Sequence, residues 1–384
     1  MKQVKNISLL LLSVLMATSC SNEEVPDTPI NNELVELGVT AGVSLTKSAI
    51  HANTHDDFTS IAVYASGTGY PTDNEAAIYT KSGSNWSNSA TETNKKIMLS
   101  NETATIYAIY PSQNGSNADW DITNPSASST ISVAVFQGNN SAQATKSTIT
   151  VPVTDPAAGS PAEILSAPGE IDYMYGVDNA NDSQLATASN KENESAVALK
   201  MKHALAMVSF RIYNDGTYSG DGHLTEIKLS NVSGSNLNAG SSSTMEIGTG
   251  TIAVTGNNAA TYTRVIKTAG APGSDYYKLG KVTNTTASET GGKDNIKAAA
   301  PKFSILVFPI LNTSNVKANT IQVTFKIDGV EHTVPLGTDH TTLNWAAGTN
   351  SLYTAVLSGK GLSITSVAVA EWGETEVNGD LGVD

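Results

Sequence analysis

From Val35 to Thr46 apolar residues alternate with polar or small ones without a break. Val35, Leu37, Val39, Ala41, Val43 and Leu45 share one parity, and Glu36, Gly38, Thr40, Gly42, Ser44 and Thr46 the other. Side chains repeat their facing every second residue in a strand but every 3.6 residues in a helix, so this stretch can bury one face only as an extended strand. At about 3.3 Å per residue, the positions from Val35 to Leu45 reach roughly 33–36 Å, longer than an average strand. Its five large aliphatic side chains, at about 1.5–3 kcal/mol each, are worth a gross ~7–15 kcal/mol if all are buried, an upper bound.

The same habit runs through the rest of the chain. Thr, Ser, Asn, Ala and Gly dominate, only 15% of residues are charged, and no long helical period appears. This composition favours strands and turns. Strands are expected at 59–65, 96–99, 104–110, 129–136, 147–153, 171–177, 224–230, 243–247, 250–255, 262–267, 303–310, 320–327, 330–336, 351–358 and 362–370, separated by Gly, Asn, Ser and Pro clusters. Within 197–213, Leu205 and Met207 occupy one parity and Val208, Phe210 and Ile212 the other, which requires a strand buried on both faces or a bulge. Asp328-Gly329 between two alternating runs is a two-residue hairpin signature. Near Ser366 the phase slips: Leu362 and Ile364 lie on one parity, Val367 and Val369 on the other. The best helical candidate is Lys293 to Ala300, stopped by Pro301. A length of 384 residues suits two domains, and the polar gap 178–195 is the natural boundary. The expected fold is all-β, two tandem β-sandwich-like domains at 34–187 and 188–384.

The N-terminus reads differently. Lys2 and Lys5 precede the apolar run Ile7 to Met16, which is too short to span a bilayer and has the form of a signal peptide, residues 1–19. Leu15-Met16-Ala17-Thr18-Ser19-Cys20 resembles a bacterial lipobox, with Ala17 where leucine is usual. In such a motif cleavage precedes the cysteine, and Cys20 then carries acyl chains such as palmitate. Cys20 is also the only cysteine, so no internal disulfide can form and stability must come from packed sheets. Residues 20–33, with Pro26, Pro29, Glu23, Glu24 and Asp27, read as a lipidated, unstructured tether. Ser21-Asn22-Glu23-Glu24 looks like the acidic signal that carries Bacteroidetes-type lipoproteins to the cell surface. Loss of Lys2 and Lys5 with the leader takes the formal charge from −14 to −16. Such a chain is a poor binder of nucleic acid or anionic lipid, and the lipid alone would hold it to the membrane.

After the first strand come Thr46-Lys47-Ser48-Ala49 and a polar stretch, 50–57, without strand pattern. A basic residue in a loop is where a trypsin-like protease cuts; the plain alternative is a first strand followed by an ordinary loop. A lipoprotein leader, a strand ending in this site, and then Phe58-Thr59-Ser60-Ile61-Ala62-Val63-Tyr64-Ala65 resemble the fimbrillin family, the Mfa-like or type V pilins. Asp172-Tyr173-Met174-Tyr175-Gly176, the run Lys202 to Ile212, Leu306-Val307-Phe308-Pro309, Trp345-Ala346-Ala347-Gly348 followed by Tyr353, and Ile364 to Trp372 agree in order along the chain. The resemblance implies transthyretin-like sandwiches and a surface fimbrial subunit of stalk, tip or anchor type. It implies export to the outer membrane as a lipoprotein, clipping between Lys47 and Ser48, and loss of the strand carrying Val35, Leu37, Val39, Ala41, Val43 and Leu45. The emptied groove would take a strand from another fimbrial subunit, and adhesion to a host or bacterial surface ligand would follow. The chain departs from the pattern at the cut, because its only arginines are Arg211 and Arg264. Lys47 must serve, and an uncut role stays open. Val367 and Val369 lie on a candidate donor strand; that strand could equally complete its own sheet.

No chemistry competes with this reading. There is no G-x-S-x-G elbow, Walker loop, H-E-x-x-H pair or C-x-x-C spacing, and no cofactor or metal is expected. His51, His55, Asp56 and Asp57 are the nearest approach to a metal cluster, in a polar loop without a pattern to fix them. His203, on an apolar strand, reads as a hydrogen-bonded core histidine. Asp119, Asp121, Glu163, Glu170 and Asp182 read as solvated loop acids rather than a glycosidase pair. The alternative function is a monomeric surface lipoprotein that stacks glycans on Tyr70, Trp86, Tyr110 and Trp120.

Overall fold

The computed structural model of the chain describes residues 33–43, 49–51, 54–56, 59–70, 76–90, 95–152, 164–270, 275–310, 320–336 and 343–372. Strands dominate it, gathered into three large sheets. The first sheet runs in the order Gly38–Val43, Ala196–His203, Met174–Asp178, Ala104–Tyr110, Ser60–Ser66, Ala77–Ser82, Asn85–Asn88, with Ala186–Ala188 also paired to Ala104–Tyr110. Its pairings are antiparallel except one, the parallel ladder of Gly38–Val43 on Ala196–Met201.

Parity explains why this sheet carries a core on each face. Along Ser60–Ser66, Ile61, Val63 and Ala65 enter a smaller core with Leu37, Val39 and Leu99, while Ala62 and Tyr64 point into the larger core. Ala104–Tyr110 divides likewise, with Ile106 and Ala108 on the small side and Tyr107 and Ile109 on the large. Successive side chains leave a strand on opposite faces, so a strand apolar at both parities needs a core on each side.

The other two large sheets face each other. One runs Thr148–Val151, Thr261–Thr268, His223–Asn231, Ile321–Ile327, Val330–Pro335; the other runs Ile164–Ser166, Lys302–Val307, Ala206–Asn214, Thr349–Ser358, Gly361–Glu371. Phe210 from the second meets Phe325 from the first edge-on, ring centres 5.7 Å apart, and stacks on Tyr353 at the same distance. Ala206–Asn214 is buried at every position. That is the central strand its double parity demands. The molecule is therefore all-β with sandwich-like packing, and its only α-helix among the described residues is Lys293–Ala299, just before Pro301.

Several sequence expectations change in detail. The 197–213 run is not one strand: Ala196–His203 belongs to the first sheet and Ala206–Asn214 to another, with Ala204 and Leu205 buried between them. Sheet membership thus changes at 204–205. The polar gap 178–195 lies inside the first sheet and contains its Ala186–Ala188 strand. The stretch 50–57 is not without strands, since Ala49–His51 and Thr54–Asp56 form a short antiparallel ladder. Its pairing is through the backbone, which a polar sequence does not advertise.

Candidate functional site

The first strand and its surroundings form the candidate assembly site. The chain enters as Val35–Glu36, antiparallel to Met98–Leu99, and continues as Gly38–Val43. The expected single strand changes partner at Leu37: its N–H still bonds the Ile97 carbonyl at 2.9 Å, one place beyond the Met98–Leu99 ladder. Gly38 then donates to the Ser195 carbonyl at 2.8 Å and opens the parallel ladder. Adjacent residues of a strand point their backbone groups to opposite sides, so this ladder takes the even positions and leaves the odd ones facing outward.

Side chains, not a second strand, meet the outward carbonyls. The Tyr79 hydroxyl donates to the Leu37 carbonyl at 2.7 Å, and the Trp86 indole N–H to the Ala41 carbonyl at 3.1 Å. Trp86 lies on Asn85–Asn88, at the far end of the sheet's strand order. The sheet has curled until its two edge strands face each other, and Gly38–Val43 fills the seam. Burial pushes the Tyr79 phenol pKa well up, and Glu36 adds to the effect. The hydroxyl stays a donor.

Apolar contact is concentrated at the strand's entry. Leu37 is 2% exposed and Val39 5%, while Val35 is half-buried and Ala41 and Val43 pack only partly against the small core. Two fully buried side chains contribute a gross ~3–6 kcal/mol, less than half of what five would give. The alternate parity, Glu36, Thr40 and Gly42, is exposed. Lys96 reaches Glu36 at 2.9 Å, and the Asn190 amide donates to the Glu33 carbonyl at 2.7 Å. Cys20, Leu45, Lys47 and Ser48 lie outside the described residues.

At the other end of the chain, Gly361–Glu371 pairs antiparallel with Thr349–Ser358 and has no strand on its far side among the described residues. Its register shifts where Thr354 pairs Ser366 and Ala355 pairs Ile364, so Thr365 is the extra residue of a bulge. This is the phase slip visible in the sequence. Val367 packs partly against the large core; Val369, opposite Ser351, is 54% exposed.

Just beyond this strand, Trp372 stacks on the His203 ring, centroids 4.1 Å apart and nearly parallel, and its backbone N–H donates to the Gly348 carbonyl at 2.8 Å. His203 Nδ1 lies 2.8 Å from Asp172 Oδ2, with both side chains buried. The histidine is a hydrogen-bonded core residue where the first sheet hands over to the next.

Other residues singled out by the sequence fall elsewhere. Glu170 is not a solvated acid: it is buried against Arg264, and its second oxygen accepts the Leu306 N–H. Burial pushes its pKa up, while the Arg264 charge and hydrogen bonds pull it back. Asp182 is exposed and held below the usual carboxylate range by its hydrogen bond from Lys200, with Lys202 nearby. Asp119 bonds Gln113, and Asp121 is exposed. Glu163 and Asp57, with the side chains of His51, His55 and Asp56, are outside the described residues. Both arginines, Arg211 and Arg264, are buried.

The four aromatics considered for sugar stacking serve the fold. Trp120 donates to the Pro111 carbonyl at 2.8 Å, the Tyr70 hydroxyl donates to the Glu102 carbonyl, Trp86 holds the first strand, and Tyr110 is buried in the small core.

No protein-family model and no curated protein matches the chain. Solved structures do. A "putative cell adhesion protein" from Bacteroides uniformis ATCC 8492 superposes with a TM-score of 0.51 at 18% identity, over 89% of this chain and 99% of that one. Another so described, from Bacteroides ovatus ATCC 8483, gives 0.51 at 12% identity over 89% and 98%. A fimbrial protein from Bacteroides vulgatus ATCC 8482 gives 0.49 at 15% identity over 88% and 99%. At these identities the first two comparisons establish the fold, which this chain shares along nearly the whole length of both proteins.

Proposed function

We propose that the chain is a subunit of a cell-surface fimbria, exported as a lipoprotein acylated at Cys20, clipped after Lys47 and joined to other subunits by strand addition. The observation that carries this reading is the way Gly38–Val43 is held. One backbone edge is laddered, the other is met by two side-chain donors, and only Leu37 and Val39 are deeply anchored. Tyr79 and Trp86 bind carbonyls that every extended strand possesses, so the seam recognises backbone and parity rather than a particular sequence. Once vacated, it leaves an apolar slot and an unpaired edge on Ala196–His203, which a strand from another subunit satisfies. Two solved proteins of the same fold carry the description of cell adhesion, which agrees with an adhesive assembly. The burial of both arginines leaves Lys47 as the candidate basic cut site after the strand.

Purified precursor treated with a trypsin-like protease should give Ser48 as the new N-terminus, and the product should form heat-sensitive ladders on gels. Lys47→Ala should abolish both without lowering the melting temperature, because the change removes the basic group that the protease recognises and takes nothing from either core. Ladders formed equally well by Lys47→Ala would rule out this cut site.

A further inference from the structure

A half-open cavity of about 240 Å³ lies where the Lys302–Val307 strand ends, beside the 235–238 segment. Its walls include Leu237, Val254, Phe308 and Pro309, Tyr262 lines it from within the core, and Asn236 stands at its side. None of the described residues lining it is charged.

The polar groups there differ in what they already bind. Asn238 is satisfied, donating to the Gly256 carbonyl at 2.7 Å and accepting from the Gly240 N–H at 2.8 Å, and Ser235 bonds Asn257. The Asn236 amide and the Tyr262 hydroxyl have no hydrogen-bond partner among the described residues. Tyr262 is only 1% exposed as a residue and lines the cavity, so a ligand oxygen there would take the place of the water that reaches its hydroxyl. The two charges that act on Tyr262, Glu170 and Arg264, are already paired with each other, so an ionic ligand would lose hydration here with no free counter-charge to replace it. The volume is below the ~300–1,000 Å³ of drug-sized sites, which suits a single ring. An apolar wall beside two residues with hydrogen-bonding groups, Asn236 and Tyr262, suits a pyranose, which presents a C–H face together with a ring of hydroxyls.

From this geometry we infer that the cavity is a subsite for one neutral sugar ring, with Tyr262 and Asn236 as its hydrogen-bonding residues and Phe308, Leu237 and Pro309 against the apolar face. The site does not depend on strand exchange, since none of these residues belongs to the first sheet.

Saturation-transfer NMR on the intact protein tests it, using methyl glucoside, methyl galactoside, methyl mannoside and N-acetylglucosamine, with glucuronate as the charged control. At least one neutral sugar should receive saturation and glucuronate should not. Tyr262→Phe, which keeps the ring, and Asn236→Ala, outside the core, should each weaken binding about fivefold, the worth of one neutral hydrogen bond, at unchanged circular dichroism. Should Tyr262→Phe fail to fold, Asn236→Ala alone decides. No transfer to any neutral sugar, equal transfer to glucuronate, or undiminished binding by a folded variant would overturn the assignment, as would capture of peptides alone.

Discussion

Arg264 makes five hydrogen bonds from the centre of the large core: two to Glu170 and one each to the carbonyls of Phe136, Gln137 and Thr263. Its guanidinium also lies over the Phe136 ring, 5.1 Å from the centroid. A charge so enclosed is tolerable only because every donor is used. Arg264→Ala should therefore cost about 3–5 kcal/mol, the penalty for leaving Glu170 buried without its partner, read from urea unfolding midpoints. The double variant Arg264→Met with Glu170→Leu should recover most of it. A loss under about 1 kcal/mol in the single variant would mean water reaches the site. None of this was readable along the chain. Glu170 follows Pro168 and Gly169, and its partner lies 94 positions away, so an acid in a turn looks solvated until the sheets are assembled. His203 was legible as a core histidine from its apolar strand, but Asp172 and Trp372 as its neighbours were not.

At the scale of elements, turn chemistry was the most legible feature. Asp328 and Gly329 both take positive φ, 50° and 79°, and Ile327 pairs Val330 across them. Only a two-residue turn with left-handed backbone matches the twist of such a hairpin. Asp328 does more than turn the chain: its carboxylate accepts the N–H groups of Gly222 and His223 and the Tyr218 hydroxyl. Partial burial works to raise its pKa, but those hydrogen bonds, with His223 nearby, hold it below the usual carboxylate range. A depressed folded pKa means that the stabilisation is complete above the unfolded value, about 3.9, and is lost as pH falls through the folded value. Asp328→Asn keeps a residue tolerant of positive φ. The gap in melting temperature between it and the natural chain should shrink as pH falls below about 4 and the carboxylate takes up its proton; a gap that stays constant down through the acid range would contradict this role. Ala77–Ser82 and Asn85–Asn88 escaped notice because Lys81, Ser82, Asn85 and Asn88 dilute the pattern around Ala77 and Tyr79. The break at Ala204-Leu205 escaped for the opposite reason, since an unbroken apolar run carries no mark where it leaves one sheet for another.

Over the whole molecule, period-two alternation was enough to read an all-β fold, because each sheet with a core on one or both faces writes its burial into sequence parity. Which sheets would share a core was not legible. The first sheet gives Tyr64, Tyr107 and Ile109 to the same large core as the other two, a coupling that depends on long-range packing rather than on any local segment. That arrangement bears on assembly. The strand proposed to leave sits on the small core, with Leu37 and Val39, so its loss should spare the large core and leave the subunit folded. Amide hydrogen exchange resolved along Ala196–Met201 tests this most directly, followed in intact precursor, clipped subunit and polymer. Amides facing Gly38–Val43 should be protected in the precursor, exchange rapidly after clipping and regain protection in the polymer, while Ala206–Asn214 stays protected throughout. Protection along Ala196–Met201 that is indifferent to clipping, or that never returns on polymerisation, would contradict the proposal that this seam is where one subunit holds the next.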